Sequence, residues 1–428
     1  MRRLYNPLMK DDYPLPGAPG KYMPLRGDKP LPRAYFADSL PPRLDQFDLS
    51  GDVVNELADA MHALGRLDGL ATEVDNPGAV FSSFVYKEAE GSSQVEGTAV
   101  TVSDIYKQEV EEDEASPPET EHEKDVREAR NYIRALEEAA EYLEVSGSSR
   151  ESITLELIKN LHETLMEEAR TDEEDPLPGE FRPGLVAIEE KNEAGFVEPR
   201  FIPPKPDAAE SYMEDLEDYI RSSSRLPDLI DIALIHYQFE TVHPFKDGNG
   251  RVGRLLIVIL LACCDLLNYP LLYPSSYFNR SRDEYADRLL RVSEEGEWED
   301  WILFFLRGIR EQSVEAFVRA RLLLEKRREY EEEYADAPES VKRLVDSLFS
   351  EPYFSVNEAA EMIGMTYPSA KSAVDRLEDD GVVTELTGKQ KYRVFEAREV
   401  MEIVERPANR LPEPNELTDE NSSWSFPR

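Results

Sequence analysis

Apolar side chains recur every three or four positions along most of the chain, which is the spacing of a helix with one buried face. The clearest case is residues 53–67, with the sequence VVNELADAMHALGRL. The same spacing predicts helices over residues 79–90, 126–143, 154–169, 208–222, 228–239, 251–267, 282–292 and 297–330. The pattern therefore predicts a mainly α-helical protein.

Two regions depart from this helical pattern. The first 45 residues contain many prolines, so we expect extended, non-helical chain there. Further on, residues 185–188 and 196–202 are predicted to be the two strands of a β-hairpin joined by EEKNEAG. An exposed hairpin edge can accept a peptide as an additional strand.

A separate module is predicted over residues 338–405. Its predicted helices are 340–349, 355–363 and 367–379, and two strands joined by a TGKQ turn follow them. The second helix opens with a capping box of Ser355 and Glu358. This order is typical of a small winged helix-turn-helix domain, and we expect the module to fold on its own.

Charge narrows the range of partners. The chain has 89 acidic and 49 basic residues, a formal net charge of −40, so as a whole it repels nucleic-acid phosphate and could bind it only at a local basic patch. The acids are spread along the chain, and only 15 of the basic residues are lysines. This composition indicates a salt-loving (halophilic) source, because at ~1 M salt the screening length is only about 3 Å. Residues 109–125 are the densest acidic run and are predicted to be a mobile linker.

The cysteines and the apolar runs point to a cytoplasmic protein without a membrane span. Cys263 and Cys264 are adjacent, which provides neither a disulfide framework nor a CxxC metal site. The longest apolar stretch, residues 255–267, contains Asp265 and is shorter than the ~20 residues that cross a bilayer. The N-terminus lacks the apolar run of a signal peptide.

Residues 243–254, HPFKDGNGRVGR, carry the chemistry, and they lie between two predicted helices. The glycine-rich residues 248–250 bring backbone amides to a helix N-terminus, where the helix dipole favours an anion. Arg251 and Arg254 are spaced to reach one polyphosphate from the same helix face. Asp247 offers an oxygen ligand for Mg²⁺ beside that anion, and His243 can act as a general base. A Walker A loop is excluded because no Lys-Ser/Thr pair follows the glycines, and a dinucleotide fingerprint because a helix precedes them.

This segment resembles the signature HPFx(D/E)GNGRxxR of the Fic family and matches it at every specified position. The similarity extends from about Tyr35 to Ser313. It implies a Fic-type helical bundle with a β-hairpin flap. The resulting domain division is an N-terminal region with an inhibitory helix (1–110), a Fic catalytic domain (111–335), the winged helix domain (336–405) and a disordered tail (406–428).

The resemblance implies transfer of AMP from ATP to a Ser, Thr or Tyr hydroxyl of a target protein, with release of pyrophosphate. His243 would then deprotonate the hydroxyl, Asp247 would hold Mg²⁺, and Phe245 would pack the motif into the core. Arg251 would bind the β-phosphate and Arg254 the γ-phosphate. The full implied nucleotide-binding set is Thr241, Val242, Gly248, Asn249, Gly250, Arg251, Gly253, Arg254 and Tyr285. The implied flap residues, which would align a segment of the target protein, are Leu185, Val186, Ala187, Ile188, Phe201 and Ile202.

A second motif resembles the inhibitory S-x-x-x-E-(G/N) of the same family, with Ser92, Glu96 and Gly97 at its specified positions. Because this motif precedes the Fic signature, the chain resembles the class of Fic proteins whose inhibitory helix precedes the Fic domain. The resemblance implies that Glu96 pairs with Arg254 and occupies the place of the γ-phosphate. An autoinhibited enzyme follows from this reading.

Alternatives remain open from the sequence. The same site could remove AMP from modified proteins, with Glu96 positioning water. The chain could instead be a nucleotide-sensing regulator that binds DNA through the C-terminal module, where Lys389, Lys391 and Arg393 cluster. That module could equally serve protein interaction or a homodimer.

Overall fold

The computed structural model describes residues 14–15, 17–24, 33–42, 49–111, 120–167, 177–191, 197–222, 226–388 and 393–414. Contacts divide the chain into two compact units that interleave along the sequence. The first unit comprises residues 1–60, 134–266 and 278–308, and the second comprises 61–133, 267–277 and 309–428. None of the described helices is both long and apolar enough to cross a membrane.

Helices dominate both units, as the apolar spacing predicts. The helices are α1 (Gly51–Thr72), α2 (Pro77–Val80), α3 (Ser83–Val95), α4 (Val102–Glu111), α5 (Glu121–Ser146), α6 (Leu155–Met166), α7 (Pro206–Arg221), α8 (Asp228–Val242), α9 (Asn249–Cys263), α10 (Ser275–Arg280), α11 (Arg282–Glu295), α12 (Trp298–Glu333), α13 (Glu339–Ser347), α14 (Val356–Met362), α15 (Tyr367–Asp379) and α16 (Arg398–Val404). The strands are β1 (Gly20–Pro24), β2 (Arg33–Ala37), β3 (Ile188–Lys191), β4 (Val197–Phe201), β5 (Tyr353–Ser355), β6 (Val383–Glu385) and β7 (Val394–Ala397).

The core of the first unit is the pair α8 and α9, in which nearly every side chain is buried. The two helices approach closely at Gly253, where a Cβ atom would lie 2.5 Å from Glu240 Oε1. The predicted helix 251–267 ends earlier, at Cys263, because Asp265 takes a left-handed φ of 53°. The amides of Asp265 and Leu266 then bond back to the last turn in a Schellman motif. Both cysteines are free thiols.

The N-terminal region is a hairpin, which the proline-rich sequence did not predict. β1 pairs antiparallel with β2, with Tyr22 opposite Tyr35. Both faces of β2 are buried, one side against Ile202 and the other against Phe201. A strand buried on both faces has no polar alternation, so its period-2 signal is absent.

The flap hairpin is present, but its first strand lies later than predicted. β3 begins at Ile188, so Leu185, Val186 and Ala187 precede the strand, and Leu185 is 52% exposed. The sequence of β3 is IEEK, whereas the prediction placed the strand on the apolar residues 185–188. Phe201 and Ile202 are buried under β2 and form part of the core. The predicted connection at 192–196 lies outside the described residues.

The predicted helix 79–90 is in fact two helices, α2 and α3, and α3 continues to Val95. Position 91 within α3 is a glycine because other backbone lies against it: a Cβ atom there would be 2.8 Å from the amide nitrogen of Ser276. The predicted acidic linker 109–125 is helical at both ends, in α4 and α5. Its middle, residues 112–119, lies outside the described residues.

The C-terminal module contains the predicted helices as α13, α14 and α15, and the capping box of Ser355 and Glu358 is confirmed. Two elements were missed, β5 and α16, and the sheet has the order β5-β7-β6. A 3-10 turn at Ala408–Arg410 lies in the predicted tail, and residues 415–428 fall outside the described chain. So do Lys389 and Lys391. The winged-helix class of this module stays a prediction.

The module is tied to the rest of the second unit at α16. The buried Arg319 of α12 donates hydrogen bonds to the carbonyl oxygens of Ile403 and Val404, at 2.6 and 2.7 Å. We therefore expect a fragment of residues 338–405 to be less stable than one of residues 309–414 by about 1.5–3 kcal/mol, the usual net contribution of a hydrogen bond to a charged group. Urea unfolding of both fragments measures this difference. Equal midpoints and slopes would contradict it.

Candidate active site

The motif 243–254 consists of a short loop, residues 243–248, and the first turns of α9. α8 runs three residues beyond its predicted end, and α9 begins two residues before its predicted start. His243 ends α8 in the left-handed region, with φ 49°, and Gly248 precedes α9 with φ 75°. Both ends of the loop are therefore sharply turned, which brings His243 and the start of α9 into one short loop.

The start of α9 has the properties of an anion site. An α-helix leaves its first N–H groups without acceptors inside the helix, and the dipole places partial positive charge there. The first helical bond of α9 runs from Val252 N–H to Gly248 O, at 3.0 Å. Gly248 is required here because a Cβ atom would lie 2.9 Å from Met166 Sδ, in addition to the positive φ.

Asn249 stabilises the loop from inside. Its Oδ1 accepts from Phe245 N–H at 2.8 Å, and its Nδ2 donates to Phe245 O at 3.0 Å. The side chain is buried and committed to the loop. Its predicted part in phosphate binding is thereby limited to its backbone amide.

His162 of α6 supports the loop from behind, and the sequence reasoning missed it. Its ring stacks on Phe245 with centroids 3.8 Å apart and an interplanar angle of 4°. Its Nδ1 accepts from Gly179 N–H at 3.0 Å, so Nε2 carries the proton and donates to Asp247 O at 3.1 Å. Burial lowers the pKa of His162 to about 4, which keeps the ring neutral. The apolar face of α6 was the available signal, but a histidine there is usually structural.

Asp247 and Arg251 lie side by side with opposite exposure. Asp247 Oδ1 accepts from Gly248 N–H at 2.7 Å and lies 3.8 Å from an Arg251 guanidinium nitrogen. The Asp247 side chain is 37% exposed whereas Arg251 is buried. A half-exposed carboxylate beside an anion site fits Mg²⁺, which is usually bound through one or two carboxylates plus substrate phosphates. Within the described chain no group of three or more His, Cys, Asp or Glu side chains could hold a metal by itself.

Arg254 is fully buried one turn further along α9. Its charge contributes to lowering the pKa of His236, after the larger effect of burial, to about 3. His236 Nδ1 donates to Gly253 O at 3.1 Å, and its Nε2 accepts from the Tyr285 hydroxyl at 2.7 Å. A neutral histidine is therefore fixed between α9 and α11.

The remaining predicted nucleotide-binding residues lie in the packed interior. They are Thr241, Val242, Gly253 and Tyr285. Gly253 serves the close approach of α8 and α9, and the ring of Tyr285 stacks on Phe278 with centroids 4.8 Å apart. The structure does not place these four on the exposed surface of the loop.

The inhibitory motif lies at the end of α3, in the second unit. Ser92 is buried, and Glu96 is the exposed C-cap residue. Gly97 has φ 101°, and the amides of Gly97 and Thr98 bond to Gln94 O and Ser93 O in a Schellman motif. Gly97 is thereby explained by the helix end alone. The pairing of Glu96 with Arg254 stays a prediction.

Because His162 and His236 are buried and neutral, we predict that the folded chain loses stability as the pH falls. The pKa values of His162 and His236 fall from 6.5 to about 4 and about 3, so in the window from pH 6.5 to about 4 only the unfolded chain takes up these protons. Each histidine then lowers the free energy of unfolding by up to about 1.4 kcal/mol per pH unit as pH falls. Urea unfolding between pH 7 and pH 4, for the parent and for His162→Gln, isolates the contribution of one ring, because the carboxylates are common to both. Parallel pH dependences would contradict the prediction.

Comparison with known proteins supports the assignment made from this loop. Residues 54–141 match the Fic/DOC family N-terminal domain, and residues 152–261 match the Fic/DOC family domain. The chain is therefore a Fic-domain protein. The Fic match covers α6, α8 and most of α9, and thus the whole loop.

Curated relatives of this Fic-domain protein are named protein adenylyltransferases. The chain is 31% identical over 177 residues to protein adenylyltransferase Fic of Drosophila willistoni, covering 41% of this chain and 31% of the relative. It is 33% identical over 97 residues to a probable protein adenylyltransferase of Aquifex aeolicus (strain VF5), covering 23% of this chain and 28% of the relative. The chain thus matches about a third of each relative's length.

A solved structure supports the fold. A Fic family protein from Desulfovibrio desulfuricans G20 superposes with a TM-score of 0.51 at 19% identity, covering 82% of this chain and 97% of that one. The mainly helical Fic fold predicted from the sequence is confirmed.

Proposed function

We propose that this Fic-domain protein transfers AMP from ATP to a Ser, Thr or Tyr hydroxyl of a target protein and releases pyrophosphate. The observation that carries the proposal is the 243–248 loop. It joins a histidine at the end of α8 to the amide-rich start of α9, with the half-exposed carboxylate of Asp247 between them. The names of the relatives support the same activity.

In this mechanism each group of the loop has one task. His243 accepts the proton of the target hydroxyl, whose oxygen attacks the α-phosphorus, and the bond to the pyrophosphate oxygen breaks. The amides at the start of α9, with Arg251 and Arg254, bind the β- and γ-phosphates that leave. Asp247 would hold Mg²⁺, which when bound neutralises charge on those phosphates.

The β3–β4 hairpin is proposed to hold the target segment. In the described chain it is a sheet of two strands, so each strand has an edge that no other strand covers. An extended peptide can pair with such an edge through main-chain hydrogen bonds, which requires little of its sequence. The buried Phe201 and Ile202 would anchor the hairpin rather than contact the target.

Autoinhibition is part of the proposal, with Glu96 as the restraining carboxylate. Its support is the S-x-x-x-E-G motif and its place at the end of α3, where the side chain is exposed. DNA binding finds less support. The described basic residues of α15, and Arg393 just before β7, are ion-paired: Lys371 with Asp375, Arg376 with Asp380 and Arg393 with Glu378.

The deciding experiment is intact-mass measurement of Glu96→Gly after incubation with ATP and Mg²⁺. The expected result is covalent addition of AMP to the chain itself or to added protein. The double variant Glu96→Gly with His243→Asn should show none. Absence of AMP addition by Glu96→Gly to itself and to a lysate of the source cells would refute the proposed activity.

Asp247→Ala is expected to raise the Mg²⁺ concentration for half-maximal AMP transfer at least about tenfold, because the phosphates would then bind the metal without a protein carboxylate. Asp247→Asn should fall between this variant and the parent, since it keeps one oxygen ligand. Asp207→Ala, at the exposed start of α7, is the matched control. A Mg²⁺ titration of all four proteins measures the effect, and an unchanged midpoint would place the metal ligand elsewhere.

A further inference from the structure

Arg182 holds the turn that carries His243. Its Nε donates to His243 O at 2.8 Å, and its backbone N–H donates to Pro244 O at 2.9 Å. A third bond, from Nη2 to Val242 O, is longer at 3.4 Å. These carbonyls lie at the end of α8, where helix carbonyls lack partners within the helix and where the dipole favours a cation.

The same guanidinium holds both ends of the flap hairpin. Nη1 donates to Gly184 O at 2.9 Å, and Nη2 donates to Pro204 O at 2.5 Å. Gly184 precedes β3 and Pro204 follows β4. One side chain therefore bonds to the turn at His243, to the chain entering the hairpin and to the chain leaving it.

Arg182 is a buried cation whose hydrogen-bond acceptors are backbone carbonyls. The side chain is 3% exposed, and burial alone lowers its pKa to about 10, so it remains charged at neutral pH. All of its hydrogen-bond acceptors in the described chain are backbone carbonyls. A buried cation without a carboxylate is unfavourable unless many dipoles solvate it. A lysine could not replace it, since its single ammonium cannot reach carbonyls on three chain segments in one plane.

His243 needs such support. Its φ of 49° is in the left-handed region, which is uncommon for residues other than glycine, so contacts around the turn help to hold it there. We propose that Arg182 is a positioning residue that fixes the base His243 relative to the flap, so that the base and the peptide on the flap keep one geometry. This inference rests on the proposed AMP transfer and adds the link between base and target segment.

The test compares Arg182→Lys and Arg182→Gln with Arg288→Gln, all in the Glu96→Gly chain. Arg288 of α11 forms ion pairs with the half-exposed Glu284 and Asp300 and is the matched control. We expect Arg182→Gln to lose about 100-fold in the rate of AMP transfer, the scale of a misplaced catalytic group. Arg182→Lys should lose roughly tenfold because it keeps charge but not the fork. The Kd for ATP·Mg²⁺, measured by calorimetry, should change less than about threefold, because the start of α9 is untouched.

Hydrogen exchange gives a readout that does not depend on activity. In Arg182→Lys, the amide exchange rate should rise together in peptides covering residues 184–191, 197–204 and 242–248. Residues 255–261 of α9 should exchange at the rate of the parent. If Glu96→Gly itself adds no AMP, the proposed function fails, and hydrogen exchange alone decides whether Arg182 links turn and flap. Arg182→Gln with at least a third of the parent rate would overturn the proposal. So would loss of ATP binding in proportion to activity with exchange raised throughout α8 and α9, because that is general unfolding.

Discussion

His243→Ala is expected to lower the rate of AMP transfer by roughly 10²–10⁴-fold, the usual loss on removing a general base. Binding of ATP should be largely retained, because the phosphates are proposed to bind at the start of α9 and not at the end of α8. The measurement is the initial rate of AMP incorporation in the Glu96→Gly chain, together with the Kd for ATP·Mg²⁺.

The substitution needs a structural control, since His243 has a φ of 49° and alanine adopts that region less readily. Asparagine tolerates the left-handed region and is not a base, so His243→Asn preserves the turn while removing the proton acceptor. Both variants should be equally inactive, and His243→Asn should keep the thermal stability of the parent. Near-normal transfer by His243→Asn would show that another group takes the proton.

The parts of the site that the sequence predicts are those that neighbouring residues determine. Gly248 and Gly250, the arginines one turn apart and the carboxylate beside them lie within twelve residues, and the helices on both sides have strong local patterns. α9 begins two residues before its predicted start, because Gly248 adopts a positive φ and, without a Cβ atom, leaves room for the sulfur of Met166. Local chemistry therefore located the loop without any knowledge of the fold.

The supporting residues could not be predicted in this way, because they act from far along the chain. His162 bonds to Asp247 from 85 residues away, and Arg182 bonds to His243 from 61 residues away. Each looks ordinary in its own segment: one is a histidine on an apolar helix face, and the other lies in an unpatterned loop. The error in the flap has the same origin. Residues 185–187 are apolar, but the bond from Arg182 to Gly184 holds the chain just before them, and pairing begins only at Ile188.

Glu96→Gly is expected to raise AMP transfer by roughly 10- to 150-fold, which corresponds to the ~1.5–3 kcal/mol of a charge-assisted hydrogen bond to a guanidinium. The reason is the proposed competition: the carboxylate and the γ-phosphate are both anions that Arg254 can bind, and removing one leaves the site to the other. Glu96→Gln keeps the shape and loses the charge, so it should give most of the increase. Glu90→Ala, on the same helix and ion-paired with Lys87, is the matched control and should give none.

The role of Arg254 decides between this explanation and two others. If the competition is real, Glu96→Gly combined with Arg254→Ala should fall back to the parent rate or below, because the γ-phosphate has then lost its partner as well. If that double variant stays as active as Glu96→Gly alone, Glu96 acts through some other contact and the proposed pairing is wrong. If instead the parent chain removes AMP from a modified protein and Glu96→Gly does not, the carboxylate serves to position water.

Substitution of Arg254 needs a stability control, because Arg254 is buried beside the neutral His236. Thermal unfolding provides that control. Arg254→Lys keeps the buried charge but loses the bidentate hydrogen bonding to phosphate.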